Sequence, residues 1–151
     1  MIDYKKLKLL REQTAVSFSL CKKVLEETNN DLSQAKKKLT DWGAEKVTEK
    51  SDRSTSQGAI FSYVHHNKKI AAWLELLCET DFVSVNKEFQ NLGQELSMQL
   101  ASINTKTVDD FLSQEYIRHP SKKISDLIKE AVLKFGENIK IGRINRWELG
   151  K

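Results

Sequence analysis

Two adjacent histidines, His65 and His66, and two cysteines, Cys21 and Cys78, are the first residues of this chain to suggest a metal or a nucleophile. Neither spacing supports that chemistry. Side chains adjacent on a strand point to opposite faces and cannot both meet one ion without a turn. Beside Lys68 and Lys69 the pair instead reads as solvated hairpin residues. Cys21 and Cys78 stand far apart and form no C-x-x-C pair, so no disulfide framework or thiolate zinc site is indicated and each reads as a small buried hydrophobe. Cys78 also closes an apolar stretch, where a thiolate is disfavoured. There is no G-x-x-x-x-G-K-[ST], no G-x-G-x-x-G and no H-E-x-x-H, hence no recognisable means of holding a nucleotide, a dinucleotide or a catalytic zinc. The chain is expected to be no enzyme and to need no cofactor. If a nucleotide is involved, a partner holds it.

Charge is equally uninformative about ligands. The formal charge of +4 comes from 25 Lys and Arg against 21 Asp and Glu, interleaved almost everywhere. The run Lys36-Lys37-Lys38, with Lys22-Lys23 before it, reads as a solvated helix face, because no aromatic or arginine interleaving accompanies it. Thr80-Asp81-Phe82-Val83 is richer. It fits a capping residue followed by two apolar residues entering a core, and it equally fits an exposed elbow that offers a carboxylate and a ring to a partner.

The elements that must position these residues divide the chain. In residues 4 to 43, Tyr4, Leu7 and Leu10 mark one helix that stops near Thr14-Ala15-Val16-Ser17. Phe18, Cys21, Val24 and Leu25 mark a second, running to Asn29-Asn30. Asp31 N-caps a third, with Leu32, Ala35, Leu39 and Trp42 inward and Gly43 as its stop. Residues 44 to 58 lose the apolar period. Their first part can prolong a helix, while Ser51 to Gly58 reads as a flexible linker, so residues 1–43 and 59–151 are expected to be hinged modules.

From Ala59 the texture is that of strand. Ile60 to Val64 and Ile70 to Cys78 are β-branched and aromatic, joined by a hairpin at residues 65 to 69. Thr80 and Asp81 offer an N-cap to a helix with Phe82, Val85, Phe89, Leu92, Leu96 and Leu100 along one stripe. Phe111, Leu112, Tyr116 and Ile117 mark a short helix, and Pro120 restarts the chain. The pattern Ile124, Leu127, Ile128, Ala131, Val132 and Phe135 is an amphipathic helix ended by Gly136. Ile139 and Ile141 alternate as in a strand, and Ile144 and Trp147 fall out of phase after Gly142, which predicts a bulge. The expected class is α+β: three helices, then about three antiparallel strands covered by helices. No apolar stretch approaches the roughly 18 residues needed to cross a bilayer. The opening Met1 to Lys6 has no secretory apolar region, so a cytoplasmic location is expected.

Three separated segments then resemble the bacterial-type translation elongation factor Ts family, in the family's order. They are Leu10 to Leu25 with its Cys21-Lys22-Lys23, Glu75 to Ser84 with its Thr80-Asp81-Phe82-Val83, and Phe135-Gly136-Glu137-Asn138-Ile139. Departures from the family pattern stand at Ala15, Ser17, Leu77 and Val85. The resemblance implies a guanine-nucleotide exchange factor for elongation factor Tu, with no direct nucleotide binding of its own, no membrane and no specific nucleic acid. It implies an N-terminal module similar to ubiquitin-associated domains that docks through Arg11, Phe18 and Lys22. It places Asp81 and Phe82 beside the partner's magnesium and phosphate site, with Thr80 and Val83 as supports. Many members carry a duplicated core, whereas this chain has room for one repeat. A homodimer is therefore expected, with the C-terminal strand or Glu148-Leu149-Gly150 near the interface. The competing readings are a small basic translation-associated RNA-binding protein and a ubiquitin-like binder built on the first module.

Overall fold

The computed structural model describes residues 1–14 and 16–151; the part of the first signature at Ala15 lies outside the described residues. Helix α1 (Tyr4–Thr14), α2 (Phe18–Glu27) and α3 (Leu32–Lys50) open the chain. Ser17 caps α2 by accepting from Leu20 N, and Asp31 caps α3 by accepting from Gln34 N at 3.0 Å. Leu7, Leu10, Val16, Cys21, Val24, Leu25, Ala35 and Leu39 close one small core. Tyr4 is exposed rather than part of that face.

The third helix does not stop at Gly43. It continues to Lys50, so much of the expected linker is helical. Gly43 is buried, and a Cβ there would lie 3.1 Å from Lys129 Cβ and 3.3 Å from Leu133 Cδ1. The glycine lets two helices approach closely instead of ending one. Val47, a turn further on, packs against the second core.

That core belongs to β1 (Gln57–Val64), β2 (Ile70–Cys78), α4 (Asp81–Ser84), α5 (Lys87–Ser102), α6 (Val108–Ser113), β3 (Glu115–Tyr116), β4 (His119–Lys123), α7 (Ile124–Phe135) and β5 (Lys140–Glu148). Strands pair antiparallel in the order β1-β2-β5. Phe61, Ala72, Leu74, Leu76 and Cys78 line one face of this sheet, against Phe89, Leu96 and Leu100 of α5 and Ile124, Ile128, Ala131 and Val132 of α7. The class is α+β, with the sheet packed by helices. The bulge sits where expected: Leu74 faces Ile144 and Leu76 faces Ile141, so Gly142 and Arg143 share the place opposite Glu75. Arg143 fills it by donating its backbone N (2.9 Å) and its Nε (2.8 Å) to Glu75 Oε1, and these hydrogen bonds hold the Glu75 carboxyl below its usual range. Gly136 ends α7 in the left-handed region (φ 68°), as the pattern predicts.

Two further expectations are corrected. The stripe from Phe82 to Leu100 is two helices, because Asn86 Oδ1 accepts from Glu88 N at 2.8 Å and restarts the chain, leaving Phe82 and Val85 off the buried face. The short helix expected from Phe111 to Ile117 ends at Ser113: Tyr116 and Ile117 enter the β3–β4 hairpin, with Pro120 inside β4. Buried Gln99 organises that hairpin, donating to Glu115 O (3.2 Å) and accepting from Ile117 N (3.1 Å). Among the described residues no helix is long and apolar enough to cross a membrane.

Candidate protein-interaction site

The turn from β2 to α4 shows what an exposed elbow requires. Thr80 is extended (φ −125°, ψ 156°) and caps the four-residue helix by accepting from Val83 N at 3.4 Å. A helix this short has no stability of its own, and it is held from both ends. Behind Thr80, Cys78 Sγ donates to Thr80 O at 3.1 Å. At the far end, Gln90 Nε2 donates to Ser84 O at 2.6 Å. Val83 packs against the core and Ser84 is buried. Asp81 and Phe82 point away from the body, the ring being 83% exposed. The two readings of this tetrapeptide thus separate by residue: Thr80 and Val83 build the turn, and Asp81 and Phe82 are presented by it.

A residue that sequence reasoning left without a role lies beneath the turn. Glu137 Oε1 accepts from Glu79 N and from Thr80 N, both at 3.1 Å, and its Oε2 accepts from Thr80 Oγ1 at 2.6 Å. Asn138, buried next to it, donates to Arg53 O at 2.9 Å, and Arg53 Nη1 lies 3.6 Å from Glu79 Oε1. That Glu79 oxygen is buried without a hydrogen bond, so the arginine's charge is its nearest compensation. Burial, reinforced by the negative charge of Glu137, pushes the Cys78 thiol up to about 11, far from any nucleophilic range.

Arg11, Phe18 and Lys22, the other expected docking residues, all lie on the first two helices. Arg11 lies in the last turn of α1, close enough to Cys21 for its charge to act on that thiol. Phe18 and Lys22 lie one turn apart on α2, and Phe18 is 48% exposed instead of packed inward. The helices that carry these residues enclose the first core, and the elbow stands on the second.

The remaining chemical candidates are accounted for locally. The rings of His65 and His66 lie 4.1 Å apart in the hairpin turn, where Tyr63 Oη meets His65 Nδ1 at 3.0 Å. Among the described residues no group of three His, Cys, Asp or Glu side chains is placed to hold a metal ion. In the lysine run, Lys36 and Lys37 are exposed and Lys38 is ion-paired with Glu27. The ammonium groups of Lys23 and Lys38 lie 5.1 and 5.8 Å from the Trp42 ring centre.

Comparison with known proteins adds a family. The sequence model described as "Elongation factor TS" matches residues 79–151. The whole chain is 38% identical, over 151 residues, to 49% of an elongation factor Ts from Clostridium botulinum strain 657 / Type Ba4. It spans about half the length of this and similar clostridial relatives. It is also 34% identical over 189 residues to an elongation factor Ts from Oleidesulfovibrio alaskensis, covering 95% of this chain and 96% of that protein.

Proposed function

The chain belongs to the elongation factor Ts family, and from that premise we propose that it binds elongation factor Tu and speeds the release of bound GDP during translation elongation. The observation that supports this reading most directly is the elbow: a carboxylate and a phenyl ring, Asp81 and Phe82, stand in solvent on a turn clamped from both ends. Inserted beside the partner's magnesium and phosphates, they displace groups that hold the nucleotide. Binding energy then couples the two ligands reciprocally: a factor that prefers nucleotide-free Tu weakens nucleotide binding by the same ratio. A 10⁴-fold weakening requires about 5.5 kcal/mol of differential binding. No covalent bond is made or broken, and the action belongs in the cytoplasm with the translation machinery. The test is the dissociation rate of labelled GDP from Tu with and without the chain. An unchanged rate at saturating folded protein would sink the proposal.

The first module, in this reading, is a ubiquitin-associated-like docking unit whose contact is the corner of Arg11, Phe18 and Lys22. Arg11→Ala and Lys22→Ala are each expected to raise the factor concentration for half-maximal exchange about tenfold, with the plateau rate kept, because they act on docking and not on the nucleotide site. A lowered plateau with unchanged half-maximal concentration would reverse that division of labour.

Assembly is the third part of the proposal. β5 is an edge strand, with Trp147 64% exposed beside Trp73 and Leu149 exposed just beyond. Apolar side chains on an uncovered edge are a liability that pairing removes. Two chains related by a two-fold axis meet there and present two cores. Sedimentation at micromolar concentration is expected to give twice the 17.4 kDa chain mass; a monomer throughout would refute the pairing and leave the exchange reading standing.

A further inference from the structure

We propose that Glu137 is the positioning residue of the exchange site, setting how Asp81 and Phe82 are presented to the partner. The inference rests on the exchange reading and deepens it. The elbow helix is about one turn long, closed by the backbone hydrogen bonds Ser84 N to Thr80 O (3.3 Å) and Val85 N to Asp81 O (3.1 Å). Its direction is therefore set by what holds its ends, Gln90 at Ser84 and, at Thr80, the group that also fixes its first turn. One carboxylate holds the Thr80 end at three points, taking the N–H of Glu79, the N–H of Thr80 and the hydroxyl of Thr80. Charge-assisted acceptance of this kind is stronger and more directional than a neutral bond. Because Thr80 Oγ1 donates to Glu137 and accepts from Val83 N, the contact passes directly into the first turn of α4.

Glu137 is itself fixed. It follows Gly136, whose left-handed conformation turns the chain off α7, and it precedes buried Asn138 and Ile139. The end of α7 is thus a rigid post, and Glu137 transmits its position across 57 residues of sequence to the turn. Glu137 touches neither partner nor nucleotide in this account. It acts through Phe82 and Asp81, and without it the ring is still present but no longer aimed.

The test is a double-mutant cycle on labelled GDP release from Tu. E137A is expected to lower the plateau exchange rate about tenfold, an effect of misplacement rather than of lost contact, with the half-maximal concentration changed less than about twofold. In an F82A background the same substitution is expected to cost much less than tenfold, because the ring it aims is gone and only Asp81 remains to be misplaced. A purely structural role would cost activity equally in both backgrounds. E137Q keeps the volume and an oxygen for the two N–H groups and is expected to lose about threefold; it serves also if E137A does not fold. Thr80→Val, which deletes the hydroxyl and keeps a β-branched side chain, is expected to match it. Wild-type rates in E137A, or in E137Q where E137A is unfolded, would overturn the assignment alone. So would an equal loss in the F82A background. A wild-type chain without exchange activity would instead remove the exchange reading, and this assignment with it.

Discussion

Phe82→Ala is expected to lower Tu's GDP-release rate about a hundredfold at saturating factor while shifting the melting temperature by no more than about 1–2 °C. The two halves of that result have separate physical causes. At 83% exposure the ring gives the free protein little burial to lose, and surface substitutions away from caps and cores stay within about 0.5 kcal/mol. In the proposed complex the same ring would become a desolvated aromatic anchor, and such anchors typically cost 2–4 kcal/mol when truncated. That range includes a hundredfold change in rate and leaves room within about 5.5 kcal/mol for Asp81 and the first module. The check is stopped-flow release of labelled GDP beside a thermal melt. If the substitution instead costs 3–5 kcal/mol of stability and exchange per folded molecule is unchanged, the ring is structural and the site lies elsewhere.

The opposite outcome is expected seven residues further on. Phe89→Ala should cost about 3–5 kcal/mol, or roughly 6–20 °C of melting temperature for a chain of this size, with exchange per folded molecule within about threefold of wild type. Phe89 is fully buried, with its ring centre 6.3 Å from that of Phe61 and 6.2 Å from that of Phe135, in edge-on and tilted arrangements. Little can collapse into the space it would leave. On the next turn of α5, a Cβ at Gly93 would already lie 2.1 Å from Phe61, so that side of the cavity is bounded by backbone. Denaturant titration decides it: a loss under about 1 kcal/mol would mean that the sheet–helix interface repacks, against the close packing described above.

Read one residue at a time from periodicity alone, Phe82 and Phe89 belong to the same stripe. What separates them is Asn86, a single capping residue whose effect depends on whether its side chain bonds back to Glu88 N. Local chemistry determined a great deal here. Three- and four-residue spacing located most of α1, α2, α5 and α7; Asp31 and Thr80 marked helix starts; Gly136 marked a stop; and the phase slip after Gly142 located the bulge. These signals are readable because each is satisfied within a few residues of itself. The three signature segments carried the family for a related reason, since residue types at set spacings are preserved whether or not their contacts are known.

Tertiary structure decided the rest, wherever a partner far along the chain sets a residue's role. Gly43 is a helix stop by local rule and a packing gap in fact, because Lys129 and Leu133 arrive against it. The β3–β4 hairpin has no alternating pattern and exists because the buried amide of Gln99 offers its backbone a donor and an acceptor. Glu137 stands in the third signature segment with no role that its neighbours reveal, and only the fold brings its carboxylate to the amides of Glu79 and Thr80. Hydrogen bonds and close packing are short-ranged in space and indifferent to sequence separation, so what presents Phe82 is fixed by residues that nothing near Phe82 in the chain identifies.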